Sequence, residues 1–186
     1  MTREIYLDNA SATPIDKRVQ SEIERAFLLY GNPSSLNTSG RNARKVLERS
    51  RAKIARLIGA KQDEVIFTGS GTESNNLALI GVALANKGKH IITSNIEHKS
   101  VLASLDYLAK KGFEVTKIQA GKDGLIDPSE VAKFVRKDTI LVSIMYANNE
   151  IGSIQPIRKI INEVRKKNKN VIFHTDACQA VGYLDI

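Results

Sequence analysis

The sequence has no tryptophan, a single cysteine (Cys178), four prolines and two methionines in 186 residues. One cysteine excludes an internal disulfide framework. No apolar run approaches the length needed to span a bilayer. The opening MTREIYLDN carries charges but no apolar h-region, so it does not read as a secretory signal. There is no internal repeat, no low-complexity segment, no Pro/Gly-rich linker, and no pairing of zinc ligands. The fractions that remain, 42% hydrophobic and 26% charged, are those of a soluble globular domain with a sizeable core. We therefore expect a cytoplasmic protein with no membrane partner and no bound metal.

Acidic residues are outnumbered, giving a formal net charge of +8. Much of the excess lies in RNARKVLERSRAKIAR (41–56) and RKKNK (165–169). Both read as a solvated helix face or a helix C-terminus, where cations favour the dipole. No nucleic-acid motif accompanies the charge, so no nucleic-acid partner is expected.

From about residue 64 the chain alternates β-branched runs with helical patterns. Strands are predicted at EVIFT (64–68), HIITS (90–94), FEVTKI (113–118), TILVSIM (139–145) and NVIFHT (170–175). Helices are predicted over 72–86, with Leu77, Ile80 and Leu84 on one face, and over 99–111, 127–135 and 156–167. Asp127 reads as an N-cap with Pro128 at the first helical position. Two earlier helices are expected near 16–29 and 39–58, the second closed by Gly59, with YGNPSS (30–35) as a loop between them. The alternation predicts an α/β fold, a parallel or mixed sheet with helices on both faces. Residues 1–60 read as an N-terminal segment with helices, and 61–186 as part of a large ligand-binding domain.

Ligands of such sheets collect beyond the carboxyl ends of the strands. There stand Gly69, Ser70, Gly71 and Thr72; Asn95, Glu97 and His98; Asn148, Asn149 and Glu150; and Asp176 with Gln179. FTGSGTES (67–74) is a strand, a glycine turn and a helix start, suited to a phosphate or to an ordinary cap. Gly69-x-Gly71 opens a dinucleotide fingerprint but Ser74 replaces its third glycine, and no G-K-[ST] follows for a Walker A loop. Asp176, at the end of an apolar strand, needs a cation or several donors. A protonated pyridine nitrogen is one such cation; capping of the next turn is the other reading. His98, after a strand and before a helix, suits proton transfer beside a ring, or a structural role. Asn149 and Gln179 can each donate to a phenolate oxygen or be satisfied loop amides. Cys178 reads as a small buried hydrophobe rather than a nucleophile, and His90 and His174 carry no assigned role.

Six segments then resemble the cysteine desulfurase family, in the class V aminotransferase group of fold-type I enzymes that use pyridoxal 5'-phosphate (PLP). They are IYLDNASATP (5–14), GNPSS (31–35), FTGSGTESNNLA (67–78), EHKSVL (97–102), DTILVSIMYANNEIGSIQPI (138–157) and HTDACQAVG (174–182), in the family's order. The resemblance implies that Gly71 and Thr72 hold the PLP phosphate, and that His98 stacks on the pyridine ring and assists proton transfer. It implies that Asn149 and Gln179 lie near the ring hydroxyl and that Asp176 pairs with the pyridine nitrogen. Asn37 stands where many relatives have histidine. The family's Schiff-base lysine, in a Ser-x-His-Lys stretch soon after the Asp-Ala-x-Gln motif, and its persulfide-carrying cysteine on a later loop have no match in these residues. Neither Lys99 nor Cys178 takes those places.

The expectation is thus an N-terminal fragment of a desulfurase, its PLP-binding large domain incomplete at the C-terminus and its small C-terminal domain absent. It would be inactive alone and prone to aggregate through uncovered apolar surface. In complete form it would convert L-cysteine to alanine as a homodimer, passing sulfur to an acceptor protein for iron–sulfur cluster or thio-cofactor synthesis. The alternatives are a selenocysteine lyase or other class V aminotransferase, a non-catalytic half that pairs with a second polypeptide, and a nucleotide-binding domain.

Overall fold

A computed structural model describes residues 5–185, which form two compact units meeting in sequence at Phe67 and Thr68. In the first, α1 (Lys17–Phe27) starts where the Asp16 side chain accepts from the Arg18 amide at 2.8 Å. Helix α2 (Thr38–Leu57) starts at Asn37, whose side chain accepts from Gly40 N–H at 2.8 Å, so this residue has a structural task as an N-cap. The helix ends as the sequence predicts. Gly59 takes φ +66°, and the amides of Gly59 and Ala60 return to the carbonyls of Arg56 and Ala55. That pair of bonds is a Schellman closure, and a left-handed residue there favours glycine. A 3-10 turn follows at Gln62–Glu64.

The predicted strand at 64–68 does not form. Val65 to Thr68 joins no ladder among the described residues, and the Val65 carbonyl is taken by the Arg51 guanidinium. The β-branched composition of this stretch promotes an extended chain, but a strand also needs a neighbour with which to exchange hydrogen bonds.

The second unit contains α3 (Gly71–Ala85), β1 (His90–Ser94), α4 (Lys99–Lys110), β2 (Glu114–Ile118), α5 (Pro128–Lys133), β3 (Thr139–Ser143), α6 (Ile157–Lys167) and β4 (Ile172–His174). The four strands lie in the order β2-β1-β3-β4, and every pairing is parallel. The two-residue period of the strands divides the core. Ile91 and Leu141 pack with Leu79 and Ala83 of α3 and Val101, Leu105 and Leu108 of α4. Ile92 and Val142 pack on the other side with Val131 of α5 and Ile160 and Val164 of α6. Helices therefore cover both faces, as predicted, and the sheet is parallel.

Four elements differ in detail, one being β4, which covers only Ile172–His174 of the predicted 170–175. Strand β3 stops at Ser143 although the apolar run continues to Met145. The Ile144 carbonyl accepts from the Thr175 hydroxyl, and the Met145 amide donates to the Glu97 carboxylate, so side chains take two of the ladder positions, while the Ile144 and Tyr146 amides still donate to the His174 and Asp176 carbonyls. Helix α5 is shorter than predicted, though Asp127 caps it, accepting from Ser129 N–H at 2.8 Å. Helix α3 buries Asn75, Leu79 and Ala83, whereas Leu77 and Leu84 of the predicted face are exposed and Ile80 is half-buried. From Leu77 to Ala85 this helix is apolar all round, so spacing alone does not single out its buried stripe. No helix among the described residues is long and apolar enough to cross a membrane.

Candidate functional site

Parallel pairing gathers the loops after β1, β3 and β4 at one edge of the sheet. At the start of α3, the Ser70 hydroxyl caps the Glu73 amide at 3.1 Å, and the Glu73 carboxylate reaches back to Gly69 N–H at 2.7 Å. The amides of Gly71 and Thr72 and the Thr72 hydroxyl make no hydrogen bond among the described residues. A Cβ at Gly71 would come within 3.0 Å of the Cys178 sulfur, so the turn after β4 packs directly on this helix start.

Asp176 is 8% exposed. Its Oδ2 accepts from the Asn75 side-chain amide at 2.9 Å, and its Oδ1 accepts from Cys178 N–H at 3.0 Å. Burial pushes its carboxyl up. The Asn75 amide, the Cys178 backbone and thiol, and His174 outweigh that and hold it below the usual carboxylate range. Asn75 also donates to the Ser100 hydroxyl at 2.9 Å, and Ser100 Oγ lies 2.8 Å from Nδ1 of His98. His98 is the N-cap of α4, and its Nδ1 accepts from Ser100 N–H at 3.2 Å. With Nδ1 accepting, a neutral ring carries its proton on Nε2.

His98 and Asn149 line one open depression of about 400 Å³, together with Asn95, Glu97, Asn148 and Glu150. The structure thus connects Asp176 to His98 through two intermediaries, and Asn149 lines the same depression as His98. Gln179 is exposed, in the turn after Asp176, and no described hydrogen bond ties it to the other candidates. Cys178 is exposed rather than buried, which corrects the sequence reading. Its packing and the adjacent Asp176 carboxylate push the thiol up to about 11. His90 is a satisfied core residue, its ring nitrogens 2.7 Å from Thr139 Oγ1 and 2.9 Å from Thr116 Oγ1. His174 lies 2.9 Å from the Ser143 hydroxyl, and burial lowers its pKa.

Sequence reasoning missed Asn75 and Ser100. The available signal was the i, i+4, i+8 spacing of Asn75, Leu79 and Ala83, which places a polar side chain on the buried stripe of α3. It also assigned no task to Glu97. This residue is 6% exposed, and burial raises its carboxyl to about 7.

Comparison with known proteins agrees with this architecture. The chain is 50% identical over 190 aligned residues to the cysteine desulfurase IscS of Dictyoglomus turgidum, covering 100% of this chain and 48% of that protein. It is 47% identical to the cysteine desulfurase IscS of Methanosarcina thermophila, covering 98% of this chain and 45% of that one. Among solved structures, a NifS-like protein superposes with a TM-score of 0.93 at 40% identity, over 96% of this chain and 50% of the other. A structure described as SspA in complex with cysteine gives a TM-score of 0.90 at 37% identity, over 95% and 51%. The chain therefore spans about half the length of the curated relatives it matches. The profile of the class-V aminotransferase family matches residues 5–186, and the chain belongs to that family.

Proposed function

We propose that this chain supplies the cofactor-holding part of a PLP-dependent cysteine desulfurase. The observation that carries the reading is the hydrogen-bonded path from Asp176 through Asn75 and Ser100 to His98. At its ends, at one sheet edge, lie a buried carboxylate held below its ordinary range and a histidine whose Nε2 has no hydrogen bond among the described residues. The resident groups fit the cofactor. Asp176 keeps acceptor capacity after its bonds to Asn75 and Cys178, as a protonated pyridine nitrogen requires. The open amides of Gly71 and Thr72, at the start of a 15-residue helix, fit a phosphate. Asn149 and Gln179 would donate to the ring hydroxyl oxygen.

When bound, PLP supplies an electron sink that makes the bonds at the α-carbon of an amino acid labile. The residues of this chain would hold and tune it. Asp176 would keep the ring nitrogen protonated. Asn75 would keep Asp176 charged and, through Ser100, fix the His98 ring. Nε2 of His98 would take or give a proton on the exposed side.

The substrate proposed is L-cysteine, in keeping with the cysteine complex of the related SspA. The carbon product would be alanine, with the sulfur passed as a persulfide to an acceptor protein. A homodimer in the cytoplasm is the proposed setting. Residues 1–186 are assigned the holding and tuning of the cofactor; the Schiff-base and persulfide roles of the family are assigned to none of them.

The test is titration of PLP onto the purified chain, followed by absorbance, for wild type, Asp176→Ala and Thr72→Ala. Saturable binding weakened by both substitutions is expected, and in a desulfurase that contains this chain the same substitutions should slow alanine formation from L-cysteine in the presence of a thiol reductant. Equal binding by all three chains, or binding of NAD in place of PLP, overturns the reading.

A further inference from the structure

His98 and Asn149 come from loops that follow different strands, β1 and β3, so their spacing depends on what ties those loops together. Two side chains do so. Glu97 extends one carboxylate oxygen to both the Ser94 hydroxyl at the end of β1 and the Met145 amide beyond β3, the latter at 2.9 Å. Asn148 spans the gap in the opposite direction. Its Nδ2 donates to the Ile96 carbonyl at 2.8 Å, while its Oδ1 accepts from the amides of Glu150 and Ile151 at 2.8 and 2.9 Å. Asn148 backbone N–H also closes the loop onto the Ser153 carbonyl at 3.0 Å. Both side chains are buried, at 6% and 9% exposure, and each immediately precedes a site candidate, His98 or Asn149, on the lining of the same depression.

We propose that Glu97 and Asn148 are a pair of positioning residues that lock the β1 and β3 loops together and thereby set His98 against Asn149. This rests on the reading of the site given above. The arrangement is costly, which argues for a task. The second Glu97 oxygen is buried with no hydrogen-bond partner among the described residues. A fold free to choose would replace such a group by an apolar one. Burial, opposed by the Ser94 and Met145 bonds and reinforced by Asp176, raises this carboxyl to about 7. Asp176 is the charged group acting on it, while Lys99 and Glu150 line the same depression.

The experiment uses the whole chain with four substitutions: Glu97→Ala, Glu97→Gln, Asn148→Ala and Asn148→Asp. Two readouts are taken, the NMR line of the His98 imidazole without ligand and the dissociation constant for added PLP. Glu97→Ala and Asn148→Ala should split or broaden the His98 line and weaken PLP by about tenfold, the loss of one to two buried hydrogen bonds. Glu97→Gln keeps the shared acceptor oxygen and should restore both readouts to within about twofold of wild type. Asn148→Asp keeps the cap on Glu150 and Ile151 but loses the donor to Ile96, so it should behave like Asn148→Ala. It carries the test if Glu97→Ala fails to fold. A single unchanged His98 line with unchanged PLP affinity in Asn148→Asp overturns the proposal. Should wild type fail to bind PLP, the proposed cofactor falls, and the His98 line alone still decides whether the brace exists.

Discussion

Asn75 and Asp176 stand 101 residues apart in sequence, and the amide of one donates to the carboxylate of the other across 2.9 Å. The bond joins the buried stripe of α3 to the turn after the last strand, β4. Through Ser100 it also reaches α4, so one side chain links three elements of the second unit.

Removing that link should cost stability. Asn75→Ala leaves an acceptor of Asp176 and the Ser100 hydroxyl short of a donor in a buried setting, a loss of about 1–3 kcal/mol. The carboxyl of Asp176 is held below its ordinary range in the folded chain. Its contribution is therefore complete above the unfolded pKa and is lost as pH falls through the folded one. Urea denaturation at pH 7 and at pH 3.5 should show the Asn75→Ala deficit large at the first and reduced at the second.

Glu97 should act with the opposite sign. Its folded pKa is raised to about 7 from the ordinary 4.5, so the folded state binds the extra proton between these values. Stability should fall as pH rises through that window and level off above it, by an amount on the order of a few kcal/mol. His90 and His174, both lowered by burial, oppose this by destabilising the fold as pH drops below about 6.5. The wild-type curve mixes the two effects. Subtracting the curve of Glu97→Gln isolates the glutamate: the variant should gain on wild type from pH 5 to pH 8. A constant difference would mean that Glu97 keeps one charge state across the range.

The sequence and the structure part company where tertiary context decides. Strands β1 and β2 and the caps at Asp127 and Gly59 were legible because local chemistry determines them: alternation, a capping carboxylate, a left-handed glycine. The polar residues at the strand ends were legible too, since a parallel sheet gathers them at one edge. What stayed hidden depends on partners far along the chain. Glu97 and Thr175 take the Met145 amide and the Ile144 carbonyl just past β3, and no strand among the described residues pairs with Val65–Thr68. The role of Asn75 appears only when β4 brings Asp176 to it.

The reversed face of α3 gives a test of packing. Leu79 is fully buried, whereas Leu77 and Leu84 are 52% and 65% exposed. Leu79→Ala should cost about 2–5 kcal/mol. Leu77→Lys and Leu84→Lys should each stay within about 0.5 kcal/mol of wild type. The lysine variants should also reduce self-association measured by light scattering, because they break an exposed apolar face. A Leu77→Lys deficit equal to that of Leu79→Ala would mean that the helix is rotated from the orientation described.

Cys178 offers the sharpest contrast between exposure and reactivity. The residue is open to solvent, which alone would suggest a reactive thiol. Yet its packing and the neighbouring carboxylate of Asp176 raise its pKa to about 11 from 9.0. A shift of that size lowers the thiolate fraction at pH 7.5 by about a hundredfold. The higher basicity of the thiolate recovers part of this, since nucleophilicity rises with roughly the 0.4–0.5 power of basicity. The net expectation is alkylation by iodoacetamide about tenfold slower than for an unperturbed exposed cysteine. Asp176→Asn removes the charge and should accelerate the reaction several-fold. Reaction in wild type at the ordinary rate would show that the carboxylate does not act on the sulfur. A slow wild type accelerated by Asp176→Asn would place Cys178 under the control of the acid, as an inert neighbour of the site rather than a sulfur acceptor.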